Sequence, residues 1–270
     1  LMMITIYTIT GSAVYAAEIP VSDQDQLITS RDWTEISNLQ DEMKKEEPDA
    51  TIDYDKALKV YVDCNLIKLQ TADTKKLTSA LESANYVWVI PFKMEKTYGM
   101  FTVAKGLPLS EEAKSVLTKA EQEEVKNHAG KWMITETAEH TVEPYYDILL
   151  EKREALSDCT RVVLVGSQPG MRQPVALGMD DETARIWISL GYQYPVMEKI
   201  PETQNVESGV YSFDSVAEIS DTYIEDSEVS AGAGVQSRSS MKYVAGIGII
   251  VIGSILILSV LKKKKLEDYE

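Results

Sequence analysis

Apolar residues along the chain change their period several times, and each change marks an element. Between Ser30 and Pro48, Trp33, Ile36, Leu39 and Met43 recur every three or four residues, the spacing that places side chains on one helix face. Ser30 is positioned to cap that helix and Pro48 forbids its continuation. From Ala57 to Asp63 the pattern switches to alternation, with Leu58, Val60 and Val62 on one side and Lys59, Tyr61 and Asp63 on the other; this predicts a half-buried strand. Helical spacing returns over 73–83, where Leu77, Ala80, Leu81 and Ala84 form the apolar side. The runs YVWVIPF (86–92) and YGMFTVAK (98–105) are rich in β-branched and aromatic residues and predict a hairpin closed by the polar segment 93–97, with Pro91 at an edge or strand end.

Ser110 starts a further predicted helix with Glu111 and Glu112 in its first turn, favourable for the helix dipole, and Gly130 ends it. Its apolar stripe is Ala113, Val116, Leu117 and Ala120. A strand is predicted over 131–137, a helix over 144–156, strands over 160–166 and 172–178 around a Gln168-Pro169-Gly170 turn, and a last strand over 183–189. The starts 58, 73, 86 and 98 recur at 131, 144, 160 and 172 in the same order of element types, which suggests two tandem α-β-α-β-β units over 30–106 and 110–190. Strands joined both by hairpins and by helices predict an α+β fold, with mixed or antiparallel sheets and helices on one face.

The two ends read differently. Residues 1–17 carry no charge and close on Val14-Tyr15-Ala16, the small-x-small pattern of a signal peptide; the start at Leu1 without a basic region suggests that this leader is truncated. Residues 243–261 are 19 residues without a charge, which as a helix rise about 28 Å and match a bilayer core. Lys262 to Lys265 follow at once, predicting a single-pass membrane protein with its domain outside and a short cytoplasmic tail, 262–270. Between the folded part, placed at 30–195, and that span, residues 201–241 are acidic, poor in large apolar groups and rich in Ser, Gly and Ala towards the end, the composition of a stalk.

Charge narrows the partners. Residues 18–240 hold 22 basic and 40 acidic groups, so nucleic acid is a poor partner, and the membrane is engaged through 243–261. No Asn-x-Ser/Thr acceptor occurs, which fits a bacterial cell surface. Cys64 and Cys159 both fall in the exported part, where they are candidates for one disulfide or two free thiols. His128 and His140 lack zinc-site spacing, Gly166 to Gly170 matches neither a nucleophile elbow nor a phosphate loop, and Asp180-Asp181-Glu182 reads as a hairpin turn. No catalytic residue, cofactor or metal site is therefore assigned. Trp88 and Trp187, on strands, are the candidates for a binding face. The expected function is a membrane-anchored extracytoplasmic binding or protein-interaction module facing a surface protein or a wall polymer. The alternatives are a sensor or accessory subunit of a membrane complex, or an extracytoplasmic hydrolase with carboxylate chemistry.

Overall fold

Alternating and β-branched segments of this chain join in one mixed sheet of ten strands. The computed structural model describes residues 19–220, apart from 141–142, 167, 169–170, 172 and 193. The strands are β1 (Thr51–Ile52), β2 (Leu58–Tyr61), β3 (Tyr86–Lys93), β4 (Tyr98–Lys105), β5 (Trp132–His140), β6 (Arg161–Val165), β7 (Val175–Met179), β8 (Ala184–Ser189), β9 (Asn205–Glu207) and β10 (Val210–Ser212). The helices are α1 (Trp33–Ile36), α2 (Gln40–Glu46), α3 (Thr74–Glu82), α4 (Glu111–Val116), α5 (Lys119–His128), α6 (Tyr145–Glu151) and α7 (residues 213–220). The fold is α+β, as expected from the pattern.

Strand order is β5-β4-β3-β2-β6-β7-β8-β10-β9, with β1 set beside β3 off this path. Every pairing is antiparallel except the central one, where β2 and β6 run parallel. Two antiparallel meanders thus spread outward from one parallel junction. This topology overturns the tandem repeat: the first strand of the proposed first unit, β2, pairs with β3, whereas its counterpart β5 pairs with β4 and leaves β6 to join β2. The even spacing of elements along the chain is thus not matched by equivalent strand pairing.

Helices pack on both faces and not on one. The central strands read RVVLV and VALGM, and a strand apolar on both sides needs cover on both. Val162 and Leu164 join Leu58, Val60, Met100 and Ile188 beneath Tyr145 and Leu149 of α6. On the opposite face, Val163, Val165, Leu177 and Trp187 lie under α3 and α7 through Leu77, Leu81, Phe213 and Val216. Farther along that face Trp88, Ile90, Phe92, Phe101 and Val103 lie under Ile36 and Met43 of α1 and α2.

Capping explains where two expected helices break. Thr118 accepts from the Glu121 backbone while the Glu121 carboxylate accepts from the Thr118 backbone, a capping box that starts a new helix inside the expected 110–130 run. The 30–48 helix is likewise two α segments with a 3-10 turn, Ser37–Leu39, between them. The expected stalk is shorter than its composition indicated. Residues 205–212 form the β9–β10 hairpin, and Phe213 and Val216 are buried at 4% and 0% exposure. Few apolar residues suffice there because each one enters an existing core. The segments 1–17, 221–241, 243–261 and 262–270, with the leader, the rest of the stalk, the membrane span and the tail expected on them, lie outside the described residues.

Gly106 closes the end of β4 against the end of α5. Its amide donates to Lys131 O at 2.9 Å, its carbonyl accepts from Gly130 N at 2.8 Å, and a Cβ at this position would fall 2.2 Å from His128 O. Gly106→Ala is therefore expected to destabilise the domain by about 1–3 kcal/mol. Gly130→Asn, at φ +77° with nothing within 4 Å, should cost much less, because Asn tolerates that conformation. Urea unfolding of the two variants measures the difference.

Candidate functional site: a charge cluster in the fork of the central strands

Parallel pairing of β2 and β6 is limited to Val60 with Leu164 and Tyr61 with Val165. Nearer the strand starts, the facing edges are taken by the N-terminal segment. Val21 bridges Val162 in parallel and Gln26 bridges Leu58 antiparallel, and the 3-10 turn Asp23–Asp25 reverses the chain between them. Val162 N donates to Pro20 O at 2.7 Å and Leu27 N to Ala57 O at 3.3 Å. Residues 19–27 therefore sit as a wedge in a fork, with Ile19 buried in the core on one face and Leu27 in the core on the other.

At the tip of the wedge, Asp25 is 2% exposed. Its Oδ2 accepts from Arg161 Nη2 at 2.8 Å, Arg161 Nε at 3.3 Å and Ser22 Oγ at 2.7 Å, and its Oδ1 accepts from Tyr61 OH at 2.8 Å. Lys59 Nζ lies 3.5 Å from the same Oδ1. Alternation on β2 puts Lys59 and Tyr61 on one face, and register sets them opposite Trp88 and Tyr86 of β3. The ammonium therefore lies over three rings, 4.6 Å from the centroid of Tyr86, 5.2 Å from Trp88 and 5.7 Å from Tyr61. Such cation–π contacts replace part of the hydration that burial removes. A second carboxylate, Asp32, accepts from Tyr86 OH at 2.8 Å and Trp88 Nε1 at 3.1 Å. Asp25 thus pairs with both Lys59 and Arg161, while Asp32 lies 3.8 Å from Arg31 Nε and adds a second negative charge near Lys59.

Burial by itself pushes the Asp25 carboxyl up, but the Arg161 guanidinium and the hydrogen bonds from Ser22, Arg161 and Tyr61 outweigh it and hold the group below the ordinary carboxylate range. Burial also dominates at Lys59, drawing its ammonium below the usual lysine range against the opposing charge of Asp25. Tyr61 is pushed up by burial and by the adjacent Asp25 charge. These groups are mutually satisfied, and their chemistry is directed at one another.

Neither Trp88 nor Trp187 forms a binding face: both are 0% exposed. Trp88 serves the cluster as a donor and a ring, and Trp187 stacks on Phe213 at 5.8 Å and 14°. The indole N–H of Trp187 has no hydrogen-bond partner. The cysteines are both free and pack on opposite faces of the sheet, Cys64 beside the α3 and α7 core and Cys159 within the α6 core. The sheet itself separates them, which a reading of chain order could not reveal. Burial pushes the Cys64 thiol up to about 12 and the Cys159 thiol up to about 11, so both are poor nucleophiles. Cys159 Sγ would lie 2.8 Å from a Cβ at Gly178. Cys64 also borders a shallow depression of about 250 Å³ between the end of β2 and α3, with Asp63, Asn65, Leu69 and Ala84. The Asp63 carboxylate there is occupied by Asn85, through its backbone and its side chain at 2.6 Å each.

The 180–182 turn is self-contained, as expected of a hairpin turn. Asp180 Oδ1 accepts from the amides of Glu182 and Thr183 at 2.8 and 2.6 Å, and Arg185 pairs with its other oxygen at 2.6 Å. His128 closes α5 and His140 closes β5. Among the described residues no group of three or more His, Cys, Asp or Glu is arranged to hold a metal ion. Sequence reasoning missed Asp25, Asp32 and Arg161 and assigned Lys59 to a solvent-facing side. The available signal was that Lys59 and Tyr61 share that side and that Tyr86 and Trp88 alternate in the same way on the next strand. Comparison of the chain with family models, curated proteins and solved structures finds no match.

Removing Asp25 leaves two cations without their carboxylate, and Asp25→Ala is expected to cost about 3–5 kcal/mol at neutral pH. Because the folded state holds this carboxyl below its unfolded value, the stabilisation is present above the unfolded value near pH ~4 and is lost as pH falls through the folded one. Thermal unfolding should therefore show a steep acid limb in the parent chain. Asp25→Asn should start from a lower melting temperature at pH 7 and show a shallower limb. A limb of unchanged slope in that variant would assign acid sensitivity to other carboxylates.

Proposed function

We propose that this chain is an extracytoplasmic binding or protein-interaction module, presented by a membrane helix at 243–261 and meeting its partner along the free edge of β5. The observation that carries this reading is the position of β5. It ends the sheet order, is nine residues long, and has no strand on its outer side among the described residues. An unpaired strand edge is a template for an added strand from another chain. Glu136 and Glu139 on this strand are exposed, Thr137 contacts the carboxylate of Glu46, and Glu143 follows with an exposed side chain. That setting favours an extended, basic segment of a surface protein over an acidic one. The buried charges of the fork support a binding role too, since they fix the scaffold and do not face a substrate. The leader at 1–17 and the lysines at 262–265 support the external placement. No helix among the described residues is long and apolar enough to cross a membrane, and the expected span lies beyond them.

Crosslinking in intact cells, followed by purification of the full chain and of a chain lacking 243–270, tests the reading. The double variant Glu136→Lys/Glu139→Lys is expected to lose at least about tenfold in recovered partner while keeping its melting temperature. Glu111→Lys, on the exposed first turn of α4, should leave recovery unchanged. Equal recovery by the parent, the double variant and Glu111→Lys would place the partner elsewhere, and recovery only with the membrane segment present would favour an accessory subunit held through that segment.

A further inference from the structure

The fork between β2 and β6 has the form of a filled peptide-binding site. Its walls are the facing edges of two strands that pair with each other at only two positions. Its floor is a pair of cations, Lys59 and Arg161, that requires one carboxylate. What fills it is a local segment, 19–27, held by few main-chain bonds: Val162 N to Pro20 O and Leu27 N to Ala57 O. Two apolar side chains anchor its ends, Ile19 at 4% and Leu27 at 0% exposure. The chain leaving it runs through exposed Ile28, Thr29 and Arg31 and half-buried Ser30, with Thr29 and Ser30 bonded back to Asp23 O and Leu27 O, so a hinge here gives up these local bonds without taking an apolar side chain out of the core.

We propose that the fork is an acceptor site for the segment 19–29, filled by the chain's own copy in the isolated domain and by the same segment of a second copy when two chains meet. Strand edges at Val162 and Leu58 hold the two arms, Arg161 and Lys59 read the Asp25 carboxylate with Tyr61 as a further donor, and two apolar pockets take Ile19 and Leu27. Any second copy carries the complementary segment by definition, and exchange creates no new contacts, only a change in which chain supplies them. Reciprocal exchange closes a two-fold dimer. This interface is separate from the β5 edge, and either can exist without the other.

Two measurements on the intact, full chain test this. The first is native-state hydrogen exchange. The amides of Val162 and Leu27, which close the fork, should open by a sub-global route, before the amides shared by β3 and β4. The second uses a fluorescent synthetic peptide of residues 19–29 as the stand-in for a second copy's segment. It should enter the folded protein at one peptide per chain, no faster than those amides open, and the same peptide with Asp25→Asn should bind at least about 100-fold more weakly. The proposal is overturned if the Val162 and Leu27 amides exchange only with global unfolding. It is equally overturned if the peptide stays out over the time in which they open, or if the Asn peptide enters as well as the parent.

Discussion

The Asp25 carboxylate is the constraint on which the rest of the structure depends. In a sheet that runs antiparallel nearly everywhere, the two meanders meet at one parallel contact between β2 and β6. Here that junction is short, and it opens into a fork. Residues 19–27 fill the opening, and Asp25 places one negative charge between Lys59 and Arg161, one from each of the two strands being joined. The carboxylate thus bridges the meanders where their own backbone pairing stops. Lys59 would be costly at a buried position without it, and so would Arg161.

The cluster also organises the apolar cores around it. On the face that carries Lys59, two separate hydrophobic groups lie under different helices, one including Tyr61 and the other Trp88, with Tyr86 packed against both. The aromatic residues are the seam: their rings belong to the cores, while their hydroxyl and indole groups bind Asp25 and Asp32. Buried ion pairs contribute little net stability compared with apolar residues of the same volume. What this one contributes is position. A slip of β2 by one residue would turn Lys59 and Tyr61 to the α6 side and leave Asp25 and Asp32 facing apolar side chains.

Much of the secondary structure was legible because local rules decide it. The hairpin of β3 and β4 follows from β-branched runs around a polar turn, α3 from the helical spacing of Leu77, Ala80, Leu81 and Ala84, and the end of α2 from Pro48. What failed was whatever depends on long-range pairing. Equal spacing of elements suggested a repeat, yet spacing carries no information about which edge a strand joins, and β6 joins β2 across about a hundred residues of chain. Lys59 was placed towards solvent by alternation, which reports two faces but not whether both are covered. Trp88 and Trp187 were candidates for a surface on chemical type alone, and their burial follows from helices on the second face. Cys64 follows β2 and Cys159 precedes β6, neighbours in the sheet, but the sheet lies between the two thiols. Residues 205–216 looked too polar to fold because the core they enter is supplied by other parts of the chain.

Charge sorts the two interfaces proposed for this domain. The β5 edge bears exposed Glu136 and Glu139, and a second copy pairing there in antiparallel fashion would bring like charges together. The fork has the opposite sign: its two cations attract the one carboxylate that every copy carries on its own 19–29 segment. An acidic edge of this kind disfavours pairing with a copy of itself, whereas the proposed self-recognition falls at a buried basic pair. The open edge suits the proposed partner of the other charge. The acidic surface and the basic fork are in this sense one arrangement, and reversing either charge would merge the two kinds of encounter into one.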